Sequence, residues 1–462
     1  MKIWTCLWLL LIHAFYDQLI GMPYIVPLQG SIGGNRTLVM LEDMAAGQRT
    51  FSLFFDALRE EGHQLTYGQI DADDLSLKSY GEYLYDNIVL FASEGSFNSI
   101  TLGDVLDFIN DGGNLLFATS ETVSDNLRLF AEALGIEFDA KSSMIIDHFS
   151  FEASVDDRMH TSVLCTNFID SRALLGDFYP KKDRTSVLYR GIGHAFEEDS
   201  IFAVKILKAN PSAYSTNPHI SLGDYPQGTG EETSLVTSIQ TRNNARILVS
   251  GSMELFSNSF FKTISSNSKP VENDIFCSEI AKWTFGRRGI LRFRDIKHHK
   301  LDGTPPDVIL HEKERPDLPK SLYPDPEITR NSLVYRIKDE IVYSMVIEEF
   351  ENGLWRPYVA NDVQLEFVML DPYVRKTMIF DLNENRYVGK FVAPDDYGVF
   401  KFRVLYRRQG YSVLHSETQV SIRPFKHNEY DRFIPTAFPY YSTSFSMIAA
   451  FFLFSVCYLF SS

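Results

Sequence analysis

The stretch RILVSGSMELFSNSFF, residues Arg246 to Phe261, decides the fold class of the first half of the chain. Its apolar run breaks at Ser250-Gly251-Ser252, and the apolar residues that follow have helical spacing. A short buried strand that turns into a helix is typical of α/β proteins. A serine on such a turn is also how α/β-hydrolases present a nucleophile. Ser252 is therefore a candidate nucleophile that the rest of the sequence must support or exclude.

The same strand-then-helix pattern begins at Arg36. Short apolar runs such as NIVLFAS, NLLFATS and ARILVSGS alternate with amphipathic segments such as TFSLFFDALREEG, for which Thr50 is the expected N-cap. Short apolar strands between amphipathic helices predict a parallel sheet covered on both faces. The sequence thus predicts an α/β domain over residues 29–300, although the region between Phe138 and Gln240 has no clear period.

A second domain follows with a different period. Residues 301–329 hold six prolines among many charges and predict a linker or an extended surface segment. Residues 330–425 alternate apolar and polar side chains between turn residues, which predicts an antiparallel β-sandwich.

Both ends of the chain carry apolar segments. Residues 1–28, with Lys2 before an apolar run, have the features of a signal peptide. Residues 440–460 carry no charge and are long enough to cross roughly 30 Å of hydrocarbon as a transmembrane helix, which leaves 426–439 as a juxtamembrane segment. A signal and one C-terminal span predict a single-pass type I membrane protein with its N-terminal bulk on the lumenal side.

Charge, cysteines and sequons limit the partners and modifications. The net charge of −16 argues against a nucleic-acid partner, because phosphates would be repelled. Asn35 lies in the N-x-[ST] sequon Asn35-Arg36-Thr37 and is the predicted glycan acceptor. Cys165 and Cys277 lie in apolar surroundings, and we expect both thiols to be free and buried.

The local pattern around Ser252 does not support catalysis. A nucleophile elbow reads G-x-S-x-G, whereas this turn reads S-G-S-M-E, with Glu254 in place of the second glycine. The histidines that follow lie at the end of the domain, in the linker or beyond, and are His298, His299, His311, His415 and His427. We therefore expect Ser252 to form the turn or cap a helix, and we predict no catalytic residue.

The ends of the predicted strands offer a weaker site hypothesis. Ligands of parallel sheets bind outside the carboxyl ends of the strands. Those ends carry carboxylates and hydroxyls that could hold a sugar or a divalent ion, namely Glu42-Asp43, Asp71, Ser93-Glu94, Ser120-Glu121 and Ser252-Glu254. The sequence contains no C-x-x-C, H-E-x-x-H or glycine-rich phosphate loop, so we predict neither a metal nor another cofactor.

Small residues recur in the predicted span. Ser442, Ser446 and Ala450 are spaced four apart and so form one narrow stripe on a helix. Because helices in lipid associate through close backbone approach at small residues, we expect this stripe to contact a partner helix.

Four stretches carry a family resemblance: YGEYLYDNIVLF, RNNARILVSGSMELFSNSFF, YGVFKFRVLYRRQGYS and TQVSIRPFKHNEYDRFIPTAFPYYSTSFSM. They resemble the 48 kDa subunits of the eukaryotic oligosaccharyltransferase, from about Arg36 to the span. The resemblance implies a glutamine-amidotransferase-like α/β domain without catalytic residues. It further implies a non-catalytic subunit, in the endoplasmic reticulum membrane, of the complex that transfers an oligosaccharide from dolichyl diphosphate to Asn in N-x-[ST] of nascent chains.

The resemblance also implies the partners. These are membrane lipid and the other subunits of the complex: a multi-spanning catalytic subunit that uses a divalent metal, and ribophorin I-like, ribophorin II-like and defender-against-cell-death-like subunits. Family members usually end in a short lysine-bearing tail, which does not follow Ser461-Ser462 in this sequence. The alternative hypotheses are a lumenal sugar-binding module acting alone and a membrane-anchored hydrolase.

Overall fold

The computed structural model describes residues 33–461 except 74, 96, 197–199, 221–225, 264–269, 311–330 and 352. The predicted signal peptide and most of the predicted linker lie outside the described residues.

The first domain contains short strands and helices in alternation. Its strands are β1 (Arg36–Leu41), β2 (Gln64–Gln69), β3 (Lys78–Ser79), β4 (Glu82–Tyr83), β5 (Asn87–Phe91), β6 (Asn114–Ala118), β7 (Ile136–Phe138), β8 (Met144–Ile146), β9 (Val163–Cys165), β10 (Asn167–Phe168), β11 (Val187–Tyr189), β12 (His194–Phe196), β13 (Ala203–Lys208), β14 (Tyr214–Thr216), β15 (Ser234–Gln240) and β16 (Arg246–Ser250). Its α-helices are α1 (Met44–Thr50), α2 (Ser52–Glu60), α3 (Leu102–Asn110), α4 (Asp125–Ala133), α5 (Arg172–Leu175), α6 (Asn258–Phe261) and α7 (Asn273–Thr284), with 3-10 turns at Gly176–Lys181, Gly230–Glu232 and Glu254–Phe256.

The main sheet has the strand order β10-β13-β15-β16-β6-β5-β1-β2. From β2 to β16 neighbouring strands are parallel, as predicted, whereas β15, β13 and β10 continue the sheet antiparallel. The sheet is therefore mixed, and the prediction of a parallel sheet holds for one half. The reason is local: only Thr241–Ala245 join β15 to β16, and a parallel connection needs a dozen or more residues.

Both faces of the sheet are buried, which explains the continuous apolar runs in the sequence. Neighbouring residues of β1, Leu38 and Val39, belong to different hydrophobic clusters, one on each face. Helix α2 covers one face with Phe54, Phe55 and Leu58. The expected N-cap Thr50 is instead the last residue of α1.

The second domain is a sandwich of two sheets. Its strands are β17 (Ile290–Lys300), β18 (Asp307–Leu310), β19 (Asn331–Arg336), β20 (Glu340–Glu351), β21 (Leu354–Pro357), β22 (Gln364–Val368), β23 (Pro372–Thr377), β24 (Ile379–Asp381), β25 (Arg386–Val392), β26 (Gly398–Tyr406) and β27 (Leu414–Arg423). One sheet has the order β17-β20-β25-β24 with β21 beside β20, and the other has the order β18-β19-β27-β26-β22-β23. All pairs are antiparallel except β19 with β27, which differs from the prediction in one pair.

The boundary between the domains lies before β17 rather than after it. β17 pairs with β20, and Leu291 packs in the core of the sandwich. The predicted boundary at residue 300 therefore assigned an edge strand to the wrong domain. The alternation of ILRFRDIKHHK already indicated a strand with one solvated face, which suits the sandwich and not a sheet buried on both faces.

A buried arginine joins the two domains. Arg246, at the amino end of β16, donates through its guanidinium to the carbonyl oxygens of Trp283 (2.7 Å), Arg288 (2.6 Å) and Gly289 (2.6 Å). The same guanidinium lies 4.8 Å from the ring centre of Trp283, whose indole N–H donates to the carbonyl of Gly410 in the β26–β27 loop. Burial lowers the pKa of Arg246 to about 9, so the group remains protonated at neutral pH.

The C-terminal helix α8 (Ile434–Phe460) is long and apolar enough to cross a membrane. It begins at Ile434 and not at Tyr440, because Pro435 starts the first turn and Pro439 is accommodated in the second. At 1.5 Å per residue its 27 residues extend about 40 Å, longer than the hydrocarbon core of about 30 Å. Part of the predicted juxtamembrane segment is therefore helical.

The two cysteines of the first domain are free and buried, which confirms the prediction. Cys165 ends β9 and Cys277 lies in α7, and both side chains pack in the same hydrophobic cluster. Burial raises the pKa of each thiol, so neither favours the reactive thiolate.

We predict that Arg246→Met destabilises the folded protein by about 3–5 kcal/mol, because three charge-assisted hydrogen bonds are lost and the buried carbonyl oxygen of Arg288 loses its donor. The carbonyl oxygens of Trp283 and Gly289 still accept from the N–H groups of Gly286 and Ser412. Arg246→Lys is the matched control, since it keeps the charge and one donor group, and should lose less than half as much. Urea unfolding of the full-length protein in detergent, followed through tryptophan emission, measures both. A loss below about 1 kcal/mol for Arg246→Met would contradict this role.

Candidate functional site

The topology places the site at the carboxyl ends of β1 and β5. The chain passes from β1 to β2 on one side and then crosses to β5 on the other side of β1. Such a reversal of strand order opens a crevice outside the carboxyl ends of the two strands, where doubly wound proteins bind their ligands. The predicted polar residues Glu42 and Ser93-Glu94 follow these two strands directly.

The crevice is filled by the chain's own carboxylate. Glu42 Oε1 accepts hydrogen bonds from the backbone N–H groups of Ser93 (2.6 Å), Glu94 (2.6 Å) and Gly95 (2.8 Å). Three successive N–H groups aimed at one oxygen form an anion-binding nest. Here the anion is Glu42 itself, so the position where a ligand oxygen would bind is occupied from within the fold.

The hydroxyl groups next to this nest bond to one another. Ser93 Oγ lies 2.6 Å from Ser120 Oγ and 2.8 Å from Thr122 Oγ1, and the last two oxygens are 3.2 Å apart. Sequence analysis predicted Ser93 and Ser120 at this edge but missed Thr122, whose hydroxyl closes the group. The cluster therefore joins the end of β5 to the end of β6.

Among the remaining predicted residues of this edge, Glu121 and Glu254 lie close enough to interact electrostatically, whereas Asp43 has a separate role. Asp43 accepts from the N–H groups of Ala45 and Ala46 and so caps α1. Asp71 and Glu254 are exposed. Among the residues that the structure describes, no group of three or more His, Cys, Asp or Glu side chains is arranged to hold a metal ion.

Ser252 has a structural environment. Its side chain is fully buried, its hydroxyl donates to the carbonyl oxygen of Arg190, and it accepts from the N–H of Leu255 at 3.2 Å. Ser252 lies at the carboxyl end of β16, whereas the second domain, which carries His298, His299, His415 and His427, docks at the amino end of that strand. His311 lies outside the described residues.

The sequon residues lie at the start of β1. Asn35 is exposed immediately before the strand, and its side-chain oxygen accepts from Arg287. Thr37 is buried, and its hydroxyl lies 3.1 Å from His63 Nδ1. Because an acceptor site must expose both residues to the enzyme, modification of Asn35 would have to precede folding of β1. Glycosylation at Asn35 stays a prediction.

The predicted stripe lies on an unpartnered helix. Ser442, Ser446 and Ala450 are exposed on α8, and no side chain of α8 is buried within the chain. The hydroxyl of Ser446 donates to the carbonyl of Thr443 at 2.9 Å, which satisfies it inside the helix. The side of the helix that these residues share is therefore compatible with close approach of another helix.

Comparison with known proteins gives a consistent assignment for both domains. Residues 28–287 match the family model described as "OST48, N-terminal domain", and residues 323–462 match "OST48 middle domain". The chain belongs to this family. The dolichyl-diphosphooligosaccharide–protein glycosyltransferase 48 kDa subunit of Drosophila melanogaster is 39% identical over 92% of this chain and 90% of the relative.

Other relatives of the family are equally well covered. The 48 kDa subunits of Arabidopsis thaliana and Danio rerio are 37% and 36% identical, over 92% and 94% of this chain and 92% and 93% of their own lengths. Solved structures of ThuA-like proteins from Parabacteroides merdae and Bacteroides uniformis are also similar, at 11% and 10% identity. Their TM-scores are 0.31 and 0.28, over 54% and 56% of this chain and 89% and 93% of theirs.

Membership of the 48 kDa subunit family and helix α8 fit a single-pass protein of the endoplasmic reticulum membrane.

We predict that Glu42→Ala lowers the thermal midpoint of the protein and that sulfate restores part of the loss. The substitution leaves three backbone N–H groups without their acceptor, and a small oxyanion can take the place of the carboxylate. Thermal unfolding with and without sulfate, matched in ionic strength with chloride, measures the effect.

Asp43→Ala is the control for this experiment, because it removes the adjacent carboxylate from a solvent-exposed helix start. It should cost about 1 kcal/mol. Its midpoint should respond to sulfate no more than that of the unsubstituted protein. An equal response of the two variants would show that the crevice is not an anion nest.

Proposed function

We propose that this chain is a non-catalytic subunit of the oligosaccharyltransferase complex, with both of its folded domains in the lumen of the endoplasmic reticulum. In this role it supports assembly of the complex, and the transfer reaction belongs to another subunit. The partners proposed are the catalytic multi-spanning subunit and the ribophorin I-like, ribophorin II-like and defender-against-cell-death-like subunits.

The observation that carries the proposal is the occupation of the crevice by Glu42. A doubly wound domain binds ligands at this position, and here the carboxylate uses the backbone donors that a ligand would need. The hydroxyl of Ser252, the candidate nucleophile, bonds to backbone groups on both sides. These contacts favour a scaffold over a hydrolase.

Helix α8 supports a role within an assembly. The helix is apolar along its length, and the part of the chain that the structure describes buries none of its side chains, so we propose that they contact lipid or other subunits. The stripe of Ser442, Ser446 and Ala450 is proposed as the contact with a neighbouring helix near the lumenal leaflet.

We predict that Ser252→Ala leaves N-glycosylation of reporter glycoproteins unchanged in cells that depend on this protein. The alanine removes two buried hydrogen bonds, one to the carbonyl of Arg190 and one from the N–H of Leu255, and should cost about 1–3 kcal/mol of stability. Ser250→Ala is the matched control, because Ser250 donates to a backbone carbonyl of the same turn. Loss of glycosylation with Ser252→Ala alone, at an equal amount of assembled complex, would favour a membrane-anchored hydrolase or transferase.

We predict that the double substitution Ser446→Leu and Ala450→Leu reduces recovery of the other subunits in mild-detergent purification. Leucine favours the membrane and so permits insertion, but its bulk prevents close approach of a helix at the stripe. Phe452→Leu with Leu459→Ile serves as the control, since it changes exposed positions of α8 outside the stripe. Undiminished recovery with the double substitution would reject the stripe as a contact.

A further inference from the structure

We propose that the end of the β-sandwich from which the chain enters the span rests on the lipid surface. The contact is formed by the exposed apolar residues Leu370, Tyr397 and Val399, which we call the lower tip. The occupant is the interfacial region of a zwitterionic bilayer. This inference rests on the proposed function only in taking α8 as a membrane span.

The strand registers place the lower tip beside the exit of the chain. β27 leaves the sandwich at Arg423, and the paired residues Gly398 of β26 and Ile422 of β27 lie at that end. β22 runs towards the same end, since Val368 pairs with Lys401 of β26, and the turn after β22 carries Leu370. Two strand spacings of about 4.8 Å each therefore separate this turn from β27.

The three residues of the lower tip are apolar and exposed, and they lie together at the end of the sandwich where the chain leaves. Leu370 is 92% exposed, Tyr397 is 70% exposed and Val399 is 50% exposed. This end is packed, because a Cβ on Gly398 would lie 3.1 Å from the sulfur of Met369 and the ring of Tyr373 packs on Phe400. Exposed apolar side chains on an ordered end of a domain indicate a contact surface.

The connection to α8 is short and folded against the sandwich. Arg423 pairs with Glu429 through two hydrogen bonds of 2.7 and 2.8 Å, and the N–H of Lys426 donates to the same carboxylate. The ring of Phe425 packs on Tyr430 at 5.4 Å and under the guanidinium of Arg336 at 5.1 Å. Residues 424–430 are therefore part of the end of the sandwich and not a free tether.

This geometry brings the lower tip to the membrane. Only residues 431–433 separate Tyr430 from the first residue of α8, so the distance between the two is at most about 14 Å. The helix exceeds the hydrocarbon thickness by about 10 Å, which places its first turns in the headgroup region. The lower tip, at the same end of the sandwich, then lies within reach of the headgroups.

The chemistry of this end selects the kind of lipid. Tyrosine and leucine are residues that interfacial regions accept, and Tyr430 and Phe433 are exposed beside them. The acidic residues Asp371 and Asp396 flank the tip, and Lys338 pairs with Asp395 at 2.9 Å. The exposed basic residues Lys426 and Arg432 lie on the connection to α8, so charges of both signs face the membrane at this end. Such a mixed surface suits a zwitterionic phosphatidylcholine headgroup, which carries both charges.

The test uses the full-length protein reconstituted into phosphatidylcholine vesicles, with and without lipid that carries bromine on its acyl chains. Leu370→Trp adds one fluorophore at the lower tip, and the emission of the unsubstituted protein is subtracted. We expect bromine to quench roughly half of the added emission, because interfacial side chains reach about 5–10 Å into the acyl boundary. Tyr397→Trp should behave in the same way and provides a second position.

Leu382→Trp is the matched control. Leu382 is 77% exposed in the turn that follows β24. This turn lies beside Arg386, where β25 starts. β25 runs from Arg386 to Val392 at the lower end, so the turn is roughly 20 Å from that end. We expect no quenching there.

Quenching at position 370 equal to that at 382, in protein that floats with the vesicles, would overturn the inference. Quenching at neither position together with shielding of position 370 only in the assembled complex would overturn it in favour of a protein contact. Failure of the protein to float with vesicles would instead contradict the span on which the proposed function depends.

Discussion

The burial of the Arg246 guanidinium is the constraint on which the arrangement of the two domains depends. A charged group inside a protein is tolerated only when its donors are satisfied, and here the acceptors are three carbonyls at the turn from α7 to β17. That turn is where the second domain begins. The first strand of the sandwich therefore leaves the α/β domain in a direction fixed by a residue of the central sheet.

Close backbone approach strengthens this junction. Gly289 has a φ of 63°, and a Cβ there would lie 2.3 Å from the carbonyl oxygen of Gly410 in the β26–β27 loop. The same loop exchanges hydrogen bonds with Asn244, which donates to the carbonyl of Val413 and accepts from its N–H. A short arginine-containing loop of the sandwich is thus held by the amino edge of the main sheet, which is the edge opposite Glu42 and Ser252.

The sequence predicts the elements that a regular period specifies, and it misses those that depend on contacts between distant segments. The apolar runs at β1, β5, β6 and β16 were correctly predicted to be strands. Each run is short and apolar throughout, as expected of a strand that is buried on both faces. Helix α1 was overlooked because Asp43 caps it inside a stretch, EDMAAGQRT, that has no apolar period. Glu42 was predicted as part of a ligand site, yet its role as the occupant of that site depends on the backbone conformation of Ser93–Gly95, which no local pattern encodes.

The sandwich acts as a spacer between the α/β domain and the membrane. β27 runs from the loop that contacts the first domain to the exit towards α8, and its ten residues extend about 33 Å. Both ends of this strand are fixed, one by the interdomain junction and the other by the Arg423–Glu429 pair. A rigid spacer of this length holds the first domain at one height above the bilayer, whereas a flexible tether would allow a range of heights. In the proposed non-catalytic role, a fixed height and orientation are properties that a catalytic neighbour can use, because they keep the folded domains of an assembly in register with its membrane helices.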